Sequence, residues 1–227
     1  MRLITRADDE LYSLINTAGK LGRAAKILAR LESERDGARN DPEAAGRYAL
    51  ALMGALPGMG SGLDAQARFT DAIQAFGRVL ALDPDHWLAR YGRARLRTLV
   101  PSSYGSYAVQ TERELALAGE DLRYLIDLQA QLPAQAYFAS THAAALLVER
   151  LAGAQDPDAL GRLAQVLRGC PLEPVRLPAL GAVLCEPLAT IYASGGEERD
   201  RETIGTTLVT LYGDQAAAES ARRVRAG

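Results

Sequence analysis

The amino-acid sequence predicts an all-α protein of about ten helices joined as antiparallel pairs, and three observations carry that expectation. Apolar residues recur at helical spacing almost throughout the 227 residues, while no stretch alternates as a half-buried strand does. Alanine and leucine dominate, Phe, Trp and Pro are scarce, and Ala, Leu, Arg and Glu are among the strongest helix formers. The breaks between apolar stripes are mostly short clusters of Gly, Pro, Asp and Ser, which suits neighbouring antiparallel helices.

In chain order, a first helical region runs from about Asp8 to Glu34, interrupted near Gly19 and Gly22, with Leu11, Leu14, Ile15, Leu21, Ala25, Leu28 and Leu31 in its apolar stripe. Asp36-Gly37-Ala38-Arg39-Asn40 ends it. Asp41-Pro42-Glu43 then has the chemistry of a helix start: a capping side chain, a proline at the first helical position and an acid in the first turn. That helix carries Tyr48, Leu52 and Leu56. Pro57-Gly58-Met59-Gly60-Ser61-Gly62 is the clearest break. No strand precedes its glycines and no Gly-Lys-Ser/Thr follows, so it completes neither nucleotide-binding fingerprint and reads as an inter-helix loop.

A helix over Leu63–Leu82 follows, then an Asp83-Pro84-Asp85-His86 turn and a helix from about Trp87 to Leu99. A second loop is expected from Pro101 to Tyr107, before helices over about Val109–Leu132 and from Pro133 to Leu151. Asp156-Pro157 resembles another helix start, with a helix to Arg168 that Gly169-Cys170-Pro171 ends. The last third holds a helix over about Leu177–Ala193, a turn at Ser194-Gly195-Gly196, and one or two helices to the end, where Arg222, Arg223 and Arg225 suit the negative end of a helix dipole. The expectation is a single domain over 1–227. Any subdivision falls at the glycine-rich loop, leaving N-terminal helices in 1–56 and a repeat region in 63–227.

Composition narrows the function classes. Hydrophobic residues make up 48% and charged residues 24%, ordinary values for a chain with a sizeable core. The formal net charge of −2 lacks the clustered positive excess of a non-specific nucleic-acid binder, so no nucleic-acid partner is expected. Lys20 and Lys26 are the only lysines, an arginine bias that fits the codon usage of a GC-rich, bacterial-type genome. No signal-peptide-like apolar run opens the chain and no window approaches the ~18 apolar residues of a membrane span, so a cytoplasmic protein without a membrane partner is expected. Cys170 and Cys185 then read as reduced thiols. With only two histidines in the chain they make no metal-site pattern, and no cofactor is expected.

An internal spacing carries the most specific signal. Ala72, Phe76, Val79 and Pro84 lie 4, 3 and 5 apart, and Ala159, Leu163, Val166 and Pro171 repeat that spacing. Ten residues beyond each proline comes a small residue, Ala94 and Gly181, where two helices can approach closely. The stretch Asp71–Pro84 resembles the second helix and terminating turn of a tetratricopeptide repeat, a unit of two antiparallel helices. The resemblance implies a short α-solenoid of stacked pairs, in which the chain binds a protein or peptide. Val79 stands where the family carries alanine and Arg97 where an aromatic is expected, so irregular pairs are implied rather than a regular superhelix.

Such pairs bind through a concave surface formed by the first helix of each pair. Carried onto the unit beginning at Trp87, the resemblance places Leu88, Tyr91, Arg95, Thr98 and Leu99 there. Arg95 would offer a fork of donors to a carboxylate and Tyr91 a flat contact with a polar tip. Arg90, Arg93 and Arg97 lie on the same helix, but Arg95 points roughly 200° away from Arg93 and Arg97. The same arginines also describe a charged helix whose cations pair with acids on neighbouring helices. Trp87 reads as an anchor in the core or between pairs. Tyr104 and Tyr107, in the loop after Pro101, either contact a ligand or belong to an insertion between helices. His86 and His142 read as helix-end or surface histidines without a second ligand beside them.

The function this supports is a non-catalytic protein-interaction module, an adaptor or assembly factor, with Tyr91, Arg95, Arg90, Tyr104 and Tyr107 as partner-binding residues. The alternative is an enzyme or small-molecule binder on a helical scaffold, for which no nucleophile–base pair is legible. A third is a self-assembling structural protein.

Overall fold

Capping side chains, a proline and glycines set several of the helix boundaries. The computed structural model describes residues 2–58, 63–103, 108–130, 136–154, 156, 158–169, 173–194 and 196–226. The fold is all-α, with ten helices and no strand among these residues: α1 (Arg6–Lys20), α2 (Ala24–Gly37), α3 (Pro42–Ala55), α4 (Leu63–Leu82), α5 (Trp87–Ser103), α6 (Ala108–Gln129), α7 (Ala136–Leu151), α8 (Ala159–Arg168), α9 (Pro178–Ala193) and α10 (Glu198–Ala226). A single 3-10 turn, Leu56–Gly58, follows α3.

Thr5 opens α1 with a capping box, its side chain accepting from Asp8 N–H while the Asp8 carboxylate accepts from Thr5 N–H. Gly22, at φ +67°, makes the left-handed turn that separates α1 from α2. Asp41 caps α3 by accepting from Glu43 N–H at 2.9 Å, with Pro42 in the first turn as its fixed φ favours. Gly213, at φ 78° and ψ 160°, interrupts α10, so the one or two expected helices are one element with a break. The second expected loop needs correction at its start, because α5 continues through Pro101 to Ser103. A proline in the last turn removes one backbone donor but leaves the preceding turns intact. Residues 104–107 lie outside the described residues.

The chain divides into two units, residues 1–121 and 122–227. In the first, α3 is the central element and packs on α1, α2, α4 and α5; α1 also meets α2, and α4 meets α5. Its residues from Ala49 to Ala55 are all buried, as are Ala45 and Gly46. Small side chains let neighbours close in: a methyl group at Gly54 would lie 3.1 Å from Ile15 and 3.2 Å from Tyr12. On α4, the stripe Ala72, Phe76 and Val79 is fully buried, and the Phe76 ring rests on the α5 backbone at Gly92.

In the second unit α9 packs on α7 and α10, and α8 packs on α7 and α10. The core joins Ala143 and Leu146 of α7, Leu160 and Leu163 of α8, Cys185, Leu188 and Ile191 of α9, and Ile204 and Leu208 of α10. Ser140 and Tyr212 hydroxyls meet in a short hydrogen bond at its margin, and Val175 N–H donates to the Leu211 carbonyl at 2.7 Å. Cys185 is buried in this core, as its apolar neighbours in sequence suggest. Cys170 lies outside the described residues.

A branched side chain at Gly92 meets the Phe76 ring, since even a Cβ there would lie 2.8 Å from Phe76 Cζ. Gly92→Val is therefore expected to lower the unfolding free energy by about 2 kcal/mol or more. At Gly37 a Cβ meets nothing within 4 Å, so Gly37→Ala should leave stability unchanged or raise it by up to about 1 kcal/mol. Urea unfolding of both variants beside the parent measures the difference.

Candidate functional site

Burial decides which of the expected partner-binding residues are available. Tyr91 is 1% exposed and Arg95 4%, so neither presents a surface to a partner, and the expected binding face of α5 needs correction. Tyr91 stacks on Trp87 with ring centroids 4.7 Å apart and planes 13° from parallel, which makes Trp87 a core anchor. Arg95 donates to the Thr98 hydroxyl at 3.4 Å, and Thr98 donates to the Arg95 carbonyl at 2.7 Å. Leu88 is buried beside them, and Leu99 is exposed. Tyr104 and Tyr107 lie outside the described residues.

The remaining arginines of α5 are used inside the first unit. Arg90, Arg93 and Arg97 recur at helical spacing on one face, and all three close on a single buried carboxylate, Asp121 of α6. Arg93 makes two bonds to it, at 2.6 and 2.8 Å, and Arg90 and Arg97 one each, at 3.2 and 3.0 Å. Arg90 also donates to the Pro84 carbonyl, and Arg97 pairs with Glu114 at 3.2 Å. Burial, then the adjacent Arg93 charge, lower the Arg97 pKa from its ordinary value, against the pull of Asp121 and Glu114. This cluster fastens α6 to α5, and Asp121 was not legible as its centre.

An open cleft lies elsewhere on the first unit, where α2, α3 and α4 meet. Its volume is about 360 Å³, within the range of ligand-sized clefts, and Arg35, Asp36, Arg39, Ala45, Tyr48, Ala75, Arg78 and Leu82 line it. Ala45 and Ala75 form a buried apolar floor, and Leu82 is 39% exposed at the rim. Arg35 lies 4.3 Å over the Tyr48 ring and is pinned by Asp36 at 2.7 and 2.9 Å. Tyr48 donates to Glu32 at 3.3 Å, and burial followed by the Glu32 charge raises its pKa. Arg39 and Arg78 are exposed, and among the described residues they make no hydrogen bond or ion pair. One wall is thus a fixed cation–aromatic stack, while two guanidinia stand open beside an apolar floor.

Spacing on single helices carries part of this site. Ala75, Arg78 and Leu82 lie three and four apart and must share a face of α4, as Ala45 and Tyr48 do on α3. That these faces converge with the end of α2 is a tertiary fact with no local signature.

The histidines have separate settings. His86 is buried; Arg2 Nη1 lies 2.7 Å from Nε2, and Ala89 N–H lies 3.3 Å from Nδ1. Both donors seek a bare ring nitrogen and a neutral imidazole has one, so the two bonds cannot be complete together. Arg2 also donates to Asp8 and Glu43, and Gly46 leaves the room this group needs. His142 lines an open depression of about 240 Å³ on the second unit, together with Glu149, Arg162 and Leu163. Its Nε2 is covered by protein and has no hydrogen-bond partner, so it is not presented to that depression as a base. Arg162 is taken by Asp156. No group of three or more His, Cys, Asp or Glu able to hold a metal ion occurs among the described residues, and no helix among them is long and apolar enough to cross a membrane.

No family model, no curated protein and no solved structure matches the chain.

Removing the charge of Asp121 takes the shared counter-charge from three guanidinia, while Arg97 keeps its Glu114 pair and Arg90 its bond to the Pro84 carbonyl. Asp121→Asn is expected to cost roughly 2–3 kcal/mol, below the usual loss for a fully enclosed pair. The discount reflects the 14%, 20% and 11% of side-chain surface that Arg90, Arg93 and Arg97 keep in water. Urea unfolding measures it.

The histidines give stability a pH dependence of definite sign. Burial, and for His86 next the Arg2 charge, lower both ring pKa values below the ordinary value. The unfolded chain then binds more protons than the folded chain below about pH 6.5. Their contribution is complete above that pH and declines as pH falls towards the folded pKa values. Unfolding free energy measured from pH 8 to 5.5 should fall on the acid side, with a shallower slope in a His86→Gln/His142→Gln variant.

Proposed function

We propose that this chain is a non-catalytic protein-interaction module, a cytoplasmic adaptor or assembly factor built from irregular tetratricopeptide-like helix pairs, which docks a peptide or protein segment in the α2–α3–α4 cleft. The carrying observation is the cleft itself: an apolar floor and a fixed Arg35–Tyr48 wall beside two guanidinia without partners among the described residues. The packing of the first unit supports the helix-pair reading. Its alternate helices α1, α3 and α5 meet in sequence, and each is joined by the helix that follows or precedes it. On that reading the docking face belongs chiefly to α2 and α4, the second helices of their pairs. The first-helix face around Tyr91 and Arg95 is consumed by packing.

Ala75→Leu fills the floor of the cleft without altering its charge. Twelve-residue random peptides displayed on phage should enrich on the parent protein, with enrichment at least about fivefold lower on the variant and the thermal midpoint retained. Equal enrichment on both proteins would remove the cleft as the docking site.

A further inference from the structure

We propose that the cleft selects an acidic peptide, in which two carboxylates flank one apolar side chain; this rests on the docking reading above and names its ligand. The charge of the lining is unbalanced. Arg35, Arg39 and Arg78 face a single carboxylate, Asp36, and that carboxylate is committed to Arg35 through two hydrogen bonds. Glu32 adds a further contact to Arg35, at 3.4 Å. Arg35 is therefore part of the wall, and the selecting cations are Arg39 and Arg78.

Each of these offers a planar fork that matches a carboxylate with two parallel hydrogen bonds. A neutral segment docking in the same place would shield both guanidinia from water without replacing their hydrogen bonds, an unfavourable exchange. A basic segment would add like-charge repulsion. In the same lining, Ala45, Ala75 and Leu82 present apolar surface, which a polar side chain cannot use. A volume of about 360 Å³ holds a few side chains and not the face of a folded domain, so the fitting partner is a short segment. The chain as a whole carries a net charge of −2, so an acidic segment gains no general attraction to the protein and depends on the local cations of the lining.

The test uses the full chain and fluorescein-labelled nine-residue peptides with Gly-Ser flanks, centred on Glu-Leu-Glu, Gln-Leu-Gln, Lys-Leu-Lys or Glu-Ser-Glu, read by fluorescence anisotropy. At about 50 mM salt the Glu-Leu-Glu peptide should bind at least about tenfold more tightly than Gln-Leu-Gln and Glu-Ser-Glu, with the gap to Gln-Leu-Gln narrowing as salt rises. Arg39→Glu combined with Arg78→Glu should reverse the preference, so that Lys-Leu-Lys becomes the better ligand. Because neither arginine has a partner among the described residues, the thermal midpoint of that variant should match the parent. Equal binding of the Glu and Gln peptides, no binding of Glu-Leu-Glu, or failure of the double variant to reverse the order overturns the acidic selection. If the two peptides bind equally and Ala75→Leu abolishes both, the docking reading stands and only the acid preference is lost. Enrichment of displayed peptides indifferent to Ala75→Leu removes the docking reading itself.

Discussion

Helix α3 has almost no solvent-facing side through its second half, and that enclosure sets the terms for the first unit. From Ala49 to Ala55 every residue is buried, and all are apolar or glycine. A helix surrounded in this way can neither carry a charge nor tolerate large side chains on every face. Gly54 gives space to Tyr12 and Ile15 of α1, and Gly19 of α1 approaches the Ala55 backbone, where a Cβ would lie 3.3 Å from the Ala55 carbonyl oxygen. Only at its N-terminal end does α3 reach the surface, and there Tyr48 carries the cation–aromatic wall of the cleft. The site is thus the edge of the same packing: α2 and α4 lie on a helix too small to fill the angle between them.

Charge inside the first unit is managed by concentration on a few hubs. Asp121 neutralises part of three arginines, and Arg2 joins His86, Asp8 and Glu43. Each hub replaces water with several charge-assisted bonds, which offsets the desolvation that a lone buried charge would suffer. The consequence for function is that arginine number on a helix does not measure the cations available to a ligand. Helix α5, with four arginines in 17 residues, has committed Arg90, Arg93 and Arg97 to Asp121, whereas Arg39 and Arg78 stand open beside the cleft.

What the sequence made legible follows the range of the interactions concerned. The start of α3 at Asp41-Pro42, the span of α4 and the break between α1 and α2 are set within a few residues by caps, proline and glycine, and these were readable. Pro101 misled because a proline in the last turn of a helix sacrifices one bond, too little to stop α5 before Ser103. Helical periodicity placed Arg95 opposite Arg93 and Arg97, and the structure separates them accordingly. Periodicity cannot say which face other segments cover, and for that reason Tyr91 and Arg95 were expected at a surface and lie buried. Asp121 is 24 to 31 residues from its arginines, and the cleft draws on three helices, so neither had a local signature.

The division between fixed and free arginines also bears on how strongly such a cleft can hold a ligand. Arg35 is already immobilised by Asp36 and Tyr48, so docking does not have to order it. Arg39 and Arg78 do have to be ordered, and each long side chain loses about 1.5–2 kcal/mol of rotamer freedom when fixed. A hydrogen bond to a charged group returns about 1.5–3 kcal/mol, so the first bond of each fork roughly balances that loss and the second supplies the favourable margin. Burial of one apolar side chain against Ala45, Ala75 and Leu82 adds about 1.5–3 kcal/mol if it is complete, and less at an open rim. Selectivity can therefore exceed affinity, since the wrong charge loses the forks and still has to shield them. On the proposed docking reading, a site of this composition favours contacts that form and release readily.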